Sequence, residues 1–306
     1  MTEYILYKRD SHIERRGDNV CIRFYSDAQR FVVKYAVSEI VDGNFPHVGV
    51  TAREGIAMLF REHDENFDKH FSWKPVDVLA KDTEVSVNMS HIVQKGKKYE
   101  MIMFGPILSC LDQVLFMVEN GTYFQLHNPD YKRRLLVIGG QETFGIGVTS
   151  TPMMFSNILR RNYCAQVDRI SCCNKNFLNN VYEWVKELGQ LSDYDVVICE
   201  IDELGQDANT VKEYLEALFH QISEAKRVIV WHALDETFWK RRQEIELLIK
   251  SISQEHSGFS YLNLDFLFEP KYVDRCTYST NFINDAANIL IYRALNKELE
   301  ALQWNI

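Results

Sequence analysis

The chain has 306 residues, enough for about two domains, and its 46% hydrophobic and 25% charged content is that of an ordinary globular protein. A formal charge of −9, from 34 Lys and Arg against 43 Asp and Glu, argues against a protein that holds nucleic acid by neutralising phosphates. Only 6 Pro and 14 Gly leave little room for disordered or collagen-like tracts.

The first 125 or so residues read as strands. Asn19 to Tyr25, Arg30 to Ala36, Gly55 to Phe60, Glu84 to Met89, Tyr99 to Phe104 and Gln113 to Val118 are short runs rich in Val, Ile, Phe and Tyr. Arg30 to Tyr35 partly alternates, as a half-buried strand should. Turn residues separate the runs at Arg16-Gly17-Asp18-Asn19, Asp42-Gly43-Asn44 and Glu119-Asn120-Gly121. This pattern predicts a β-sandwich over 1–128. Asn128-Pro129-Asp130 then stops regular structure, and the period changes.

From Arg134 onward strands and helices alternate. Leu135 to Ile138, Ala165 to Ile170, Asp195 to Cys199 and Arg227 to Trp231 are strand-like. Helices are predicted over Pro152 to Arg161 (capped by Thr151), Phe177 to Leu188, Asn209 to Ser223, Thr237 to Ile252 and Asn284 to Leu302. Strands recurring about every 30 residues predict a parallel sheet covered on both faces over 132–306, a three-layer α/β/α domain. In such a sheet the functional crevice lies at the carboxyl ends of the strands. No run approaches the roughly 20 apolar residues of a membrane span. The start, Met1-Thr2-Glu3-Tyr4, has no secretory pattern. Seven Cys, an odd number in a chain able to build cores without staples, are expected to be reduced thiols in a cytoplasmic protein.

The first of those strand ends reads Gly139-Gly140-Gln141-Glu142-Thr143-Phe144-Gly145-Ile146-Gly147. A P-loop would need Lys and then Ser or Thr after its last Gly, and the dinucleotide pattern is also absent, so a tight strand-to-helix turn is the better reading. Elsewhere, Cys164 with Cys172-Cys173 lacks the two-residue gap that aims two thiolates at one zinc ion. The run Arg61 to His70 is expected as a solvated loop. No metal and no cofactor is expected.

Val137 to Gly145 resembles the first block of the SGNH (GDSL-like) hydrolases. Pro152 to Leu159, Asp195 to Leu204 and Asn284-Asp285-Ala286-Ala287 are similar, in order, to later blocks of that family. Val20 to Phe24 followed by Arg30 to Val33 resembles the jelly-roll-like β-sandwich that precedes the hydrolase domain in one carbohydrate-esterase-like branch. The resemblance implies an N-terminal β-sandwich followed by an SGNH-like α/β domain. It also implies a Ser nucleophile, an Asp and a His before the last helix, and an oxyanion site made by a Gly amide and an Asn side chain.

At those places the sequence has other residues. Gln141 stands at the nucleophile position, Ile170 or Ser171 at the Gly, about Leu204 at the Asn, and Ser279 and Phe282, or in a register shifted by one Tyr278 and Asn281, at the Asp and His. Losing one member of a Ser-His unit typically costs about 10⁶-fold in turnover. The expectation is therefore a catalytically degenerate member. Its cleft, lined by Gln141, Glu142, Cys172, Glu200, Asp202 and Phe282, would take a small carbohydrate or acyl ligand, or a protein partner, in a bacterial biosynthetic or glycan-processing system. Glu200, Asp202, Glu203 and Asp207 would give that cleft an acidic mouth, suited to a cationic or polyhydroxylated ligand. The alternative is an ester hydrolase or acyltransferase with relocated groups, Cys199 as nucleophile and His232 as base. No nucleic acid and no membrane is expected as a partner.

Overall fold

The computed structural model describes residues 1–9, 20–38, 48–63, 74–76, 84–127, 131, 133–163, 165–171, 177–202, 207–233, 239–269, 271–272, 276–279 and 282–302. They form two compact units, 1–130 with 149–152, and 131–148 with 153–306.

The first unit is antiparallel. Its strands are β1 (Thr2–Lys8), β2 (Cys21–Ser26), β3 (Arg30–Ser38), β4 (Ala57–Glu62), β5 (Lys74–Val76), β6 (Glu84–Asn88), β7 (Tyr99–Phe104), β8 (Cys110–Val118) and β9 (Phe124–Leu126), with a short helix α1 (Val50–Glu54) before β4. Four strands run in the order β1-β8-β3-β6 and five in the order β5-β4-β7-β2-β9. Phe31, Val33 and Phe116 from the first sheet meet Phe24, Met58 and Met101 from the second in one core. Each such side chain contributes roughly 1.5–3 kcal/mol on burial. The turn signal at Glu119 to Gly121 is used: Thr122 N–H donates to the Glu119 carbonyl at 3.2 Å, and Gly121 takes a φ of 81° that a side chain would oppose.

Strand β1 escapes the sequence pattern. Tyr4, Ile5, Leu6 and Tyr7 are consecutive apolar residues, so no alternation marks it, yet it pairs along β8 from Thr2 to Lys8. The expected loop Arg61 to His70 is also corrected at its start. Arg61 and Glu62 are the last residues of β4, and Arg61 turns to the buried Glu100 carboxylate at 2.7 Å. Residues 64–70 lie outside the described residues.

The second unit alternates strand and helix: β10 (Arg134–Gly139), α2 (Gln141–Phe144), α3 (Phe155–Asn162), β11 (Gln166–Ser171), α4 (Phe177–Leu188), β12 (Val196–Ile201), α5 (Ala208–Ile222), β13 (Val228–His232), α6 (Trp239–Glu255) and β14 (Phe259–Tyr261). A two-stranded antiparallel pair, β15 (Thr277–Ser279) and β16 (Phe282–Ile283), leads into the last helix, α7 (Asp285–Ala301). The sheet order is β11-β10-β12-β13-β14, and every pairing is parallel.

Successive residues of the central strands face opposite ways. Leu136, Ile138, Val197, Cys199, Ile201 and Val230 pack under α4, α5 and α6. Leu135, Val137, Val196, Ile198, Ile229 and Trp231 pack under α3 and α7. With both faces covered, β12 and β13 are buried at every position, which is why they read as unbroken apolar runs.

One helix start differs from expectation. Thr151–Met153 is a 3-10 turn, and α3 begins at Phe155 without a side-chain cap. The reason is tertiary: Phe155 N–H donates to Asn288 Oδ1 of α7 at 3.0 Å, so the amide finds its acceptor on a neighbouring helix. The last helix begins as its sequence suggests, with Asn284 Oδ1 accepting from the amides of Ala286 and Ala287.

Candidate functional site

In a 2-1-3-4-5 parallel sheet the chain leaves the first strand in one direction and later strands are added in the other. The crevice opens at the carboxyl ends of the two strands flanking that reversal. Here those strands are β10 and β12, paired in register from Leu135↔Val196 to Ile138↔Cys199. After β10 come Gly140, Gln141 and Glu142, and β12 closes with Glu200 and Ile201 before Asp202.

Gln141 opens α2, a single turn, and is half-buried. The next two residues point their amides at β12. Glu142 N–H donates to Glu200 Oε1 at 3.3 Å, and Thr143 N–H donates to Glu200 Oε2 at 2.7 Å. Two glycines permit this approach. A Cβ on Gly139 would fall 2.1 Å from Thr143 Oγ1 and 2.5 Å from Glu200 Oε2, and a Cβ on Gly140 would fall 2.3 Å from Asp202 Oδ2. The glycine pair, expected as a tight strand-to-helix turn, lets that turn close on the protein's own carboxylates.

Glu200 is fully buried. Burial first, then the adjacent Glu142 carboxylate, hold its carboxyl well above the usual range, and Asp202 adds to the effect. Its side chain is also hydrogen-bonded to that of Glu142. Two carboxylates in contact share a proton rather than both ionising. Arg169 of β11, also buried, donates from Nη1 to the Thr143 carbonyl at 3.4 Å and braces the same turn.

The loop from β10 also reaches the segment before the last helix. Gly147, at φ 100°, lies so close to Ile283 that an added Cβ would be 1.9 Å from its carbonyl oxygen. The chain positions after β10 and before α7 are thus neighbours in the second unit. Ser279 pairs with Phe282 across the β15–β16 ladder, but the side chains of both lie outside the described residues, as do Cys172, Glu203 and Leu204. Cys164 and Cys173 lie outside them too. Asp207 caps α5 at the surface through the amides of Asn209 and Thr210.

Cys199 and His232 share one face of the sheet, yet Cys199 pairs with Val230 and His232 with Ile201. Their Cα positions are about 8 Å apart by strand spacing and rise. Cys199 is fully buried in the core under α4 and α5, and burial together with Glu200 pushes its thiol far above its ordinary range. A low-pKa nucleophile needs the opposite environment.

Sequence reasoning missed Thr143 and Arg169 as parts of this turn. It also missed the contact of Glu142 with Glu200. One signal was available: Glu200 is the lone charge in Val196-Val197-Ile198-Cys199-Glu200-Ile201, a strand otherwise fit for burial on both faces, where an acid needs a specific partner. Among the described residues, no group of three or more His, Cys, Asp or Glu side chains is arranged to hold a metal ion.

No family model matches the sequence, and no curated protein matches it. Solved structures do. A protein described as a GDSL-like lipase, from Bacteroides ovatus, superposes with a TM-score of 0.67 at 14% identity, over 92% of this chain and 83% of that one. A salicylyl-acyltransferase of a tetracycline biosynthetic pathway gives 0.64 at 14%, over 94% and 83%. The fold is that of the SGNH-like hydrolases. A family-two carbohydrate esterase from Clostridium thermocellum, solved with cellohexaose, gives 0.54 at 11% identity, over 94% of this chain and 93% of that one. This SGNH-like fold is therefore shared with esterases and with an acyltransferase. The likeness extends over nearly the whole chain, so it includes the antiparallel unit as well as the parallel sheet.

Proposed function

We propose that this chain is a non-catalytic SGNH-like protein whose former active-site crevice now serves binding. It would recognise a small polyhydroxylated or acyl-bearing ligand, or a protein partner, in a bacterial biosynthetic or glycan-processing system. One observation carries the reading: the amides that follow Gln141 are committed to Glu200. An acyl-transfer site must keep donors open toward the oxygen that becomes negative in the transition state. Here the donors adjoining the nucleophile position hold an internal carboxyl group. Glu142, Glu200 and Asp202 surround the place with acids, which would raise the energy of an oxyanion.

The residue at the nucleophile position supports the same reading, because the amide nitrogen of Gln141 is delocalised and does not attack esters. In the second reading, a hydrolase or acyltransferase using Cys199 and His232, the thiol would have to leave a fully buried position with a strongly raised pKa. The first reading is favoured on that ground.

Turnover of para-nitrophenyl acetate and of acetylated oligosaccharides tests both readings. The expected result is hydrolysis at the rate of buffer alone, with Cys199 reacting with iodoacetamide more slowly than free cysteine. Enzyme-dependent turnover abolished by Gln141→Ala would refute the non-catalytic reading. Turnover abolished by Cys199→Ala or His232→Ala would establish the relocated site instead.

A further inference from the structure

The five-stranded sheet of the first unit has a second face, turned away from that unit's core, and its residues follow from the registers. Tyr25 lies opposite both Glu100 and Gln125, Arg61 opposite Glu100, and Arg23 and Leu59 opposite Ile102. One half of this face is apolar, with Leu59, Ile102 and Phe104 in a small cluster. The other half gathers cations and imidazoles around one tyrosine. Lys98 Nζ lies 4.1 Å from the centre of the Tyr25 ring, and the rings of His63 and His127 each lie 4.9 Å from it.

Behind them a buried carboxylate fixes two guanidinium groups. Glu100 Oε1 is 3.3 Å from Arg23 Nη1, and Glu100 Oε2 is 2.7 Å from Arg61 Nε. Glu62, at the end of the same strand as Arg61, is bound to Lys97 at 3.0 Å. Asp27 accepts from the amides of Gly96 and Tyr123.

Among the described residues, the charges that reach the His127 imidazole are Arg23 on β2, Glu100 and Lys98 on and before β7, and His63 after β4. Of these, Arg23, His63 and Lys98 oppose its protonation and Glu100 favours it. Burial lowers its pKa first, and this positive field lowers it further. In a chain of net charge −9, a local positive field held in place by a buried acid is a feature to be explained. Lys98, His63 and His127 are half-buried rather than sealed.

We propose that this constellation is an oxyanion-binding site. Lys98 and the two imidazoles would contact the anion, Arg23 and Arg61 would supply the fixed positive background, and Tyr25 would hold Lys98 and the imidazoles in place. The ligand class is a small molecule carrying a phosphate or carboxylate group. The assignment does not depend on what the β10–β12 crevice does.

His127 reports occupancy directly, because an anion beside the imidazole favours its protonated form. The experiment is a pH titration of the histidine ring resonances by NMR on the full chain, in chloride, in inorganic phosphate and in acetate at equal ionic strength. The expected result is a His127 pKa higher by about one pH unit in the binding anion than in chloride. A response to phosphate alone assigns a phosphate-bearing ligand, and a response to acetate alone assigns a carboxylate. Lys98→Gln should weaken the anion's effect at least tenfold. Lys34→Gln, at an exposed pair with Glu84 on the other sheet, should leave it unchanged. Identical His127 titrations in all three salts would overturn the assignment, as would an undiminished response in Lys98→Gln.

Discussion

At the scale of single residues, Glu200 ties the two strand ends of the crevice together. Its two oxygens take the amides of Glu142 and Thr143, so the first turn after β10 is closed by a side chain from β12. Its proton affinity is raised by folding, and the sign of the consequence is fixed. The unfolded chain releases this proton near pH 4.3, while the native state keeps it to higher pH. The native state therefore binds the extra proton, and the stability it confers is lost as pH rises from about 4.3 toward the folded value. Glu200→Gln has no such proton. Its carbonyl oxygen still accepts from Thr143, and its amide still donates to Glu142. The loss of stability between pH 5 and pH 8, followed by urea denaturation, should be smaller in Glu200→Gln than in the parent. Equal losses in the two proteins would contradict the shared-proton account. Glu200→Ala, by contrast, strips acceptors from buried amides, at about 1–3 kcal/mol for each orphaned donor.

At the scale of elements, the last helix does more than close the sheet. Asn284 caps it, and Asn288 one turn later supplies the acceptor that starts α3. The two asparagines allow a clean comparison. Asn284→Ala removes a local cap, at a cost of about 1 kcal/mol. Asn288→Leu leaves the buried Phe155 amide without its acceptor and adds bulk where the side chain has 1% exposure. It should cost about 1–3 kcal/mol for the amide, plus the strain of packing. Urea midpoints for the two variants should rank accordingly, and a smaller effect for Asn288→Leu would mean that α3 does not depend on α7.

Element by element, legibility in the sequence tracked how local the determining force is. Tyr99 to Phe104 and Phe177 to Leu188 coincide with β7 and α4, because an apolar run or a helical stripe is visible without its partners. Strand β1 and the start of α3 were not visible. The first is defined by pairing with β8, more than 100 residues away, and the second by Asn288, 133 residues away. The acidic residues at the crevice were legible as a group, whereas their contacts were not. Glu200 and Glu142 meet only because β10 and β12 are adjacent in the sheet.

At the scale of the whole molecule, the sheet cores and the strand ends are held by different contacts, apolar packing in the first and the hydrogen bonds to Glu200 in the second. The cores on the two faces of the parallel sheet draw on apolar residues of β10, β12 and β13. Restoring one group should therefore not restore chemistry. Gln141→Ser, assayed with para-nitrophenyl acetate, should stay at the background rate. While Glu200 remains, the two amides that follow that hydroxyl are held by its carboxyl group. Measurable esterase activity in that variant would show that the crevice kept more of its machinery than its geometry indicates.

What the sequence determined by itself was the succession of strands and helices, the change of period near residue 130, and the acids and glycines placed at strand ends. These depend on near neighbours, on side-chain periodicity and on the backbone freedom of glycine. The tertiary structure alone decided that the Gly139-Gly140 turn wraps a carboxylate of its own chain rather than a ligand's phosphate. It alone placed Lys98, His63 and His127 around Tyr25. Both outcomes are set by which strands lie side by side, and strand order is fixed by burial of the whole sheet rather than by any segment read alone.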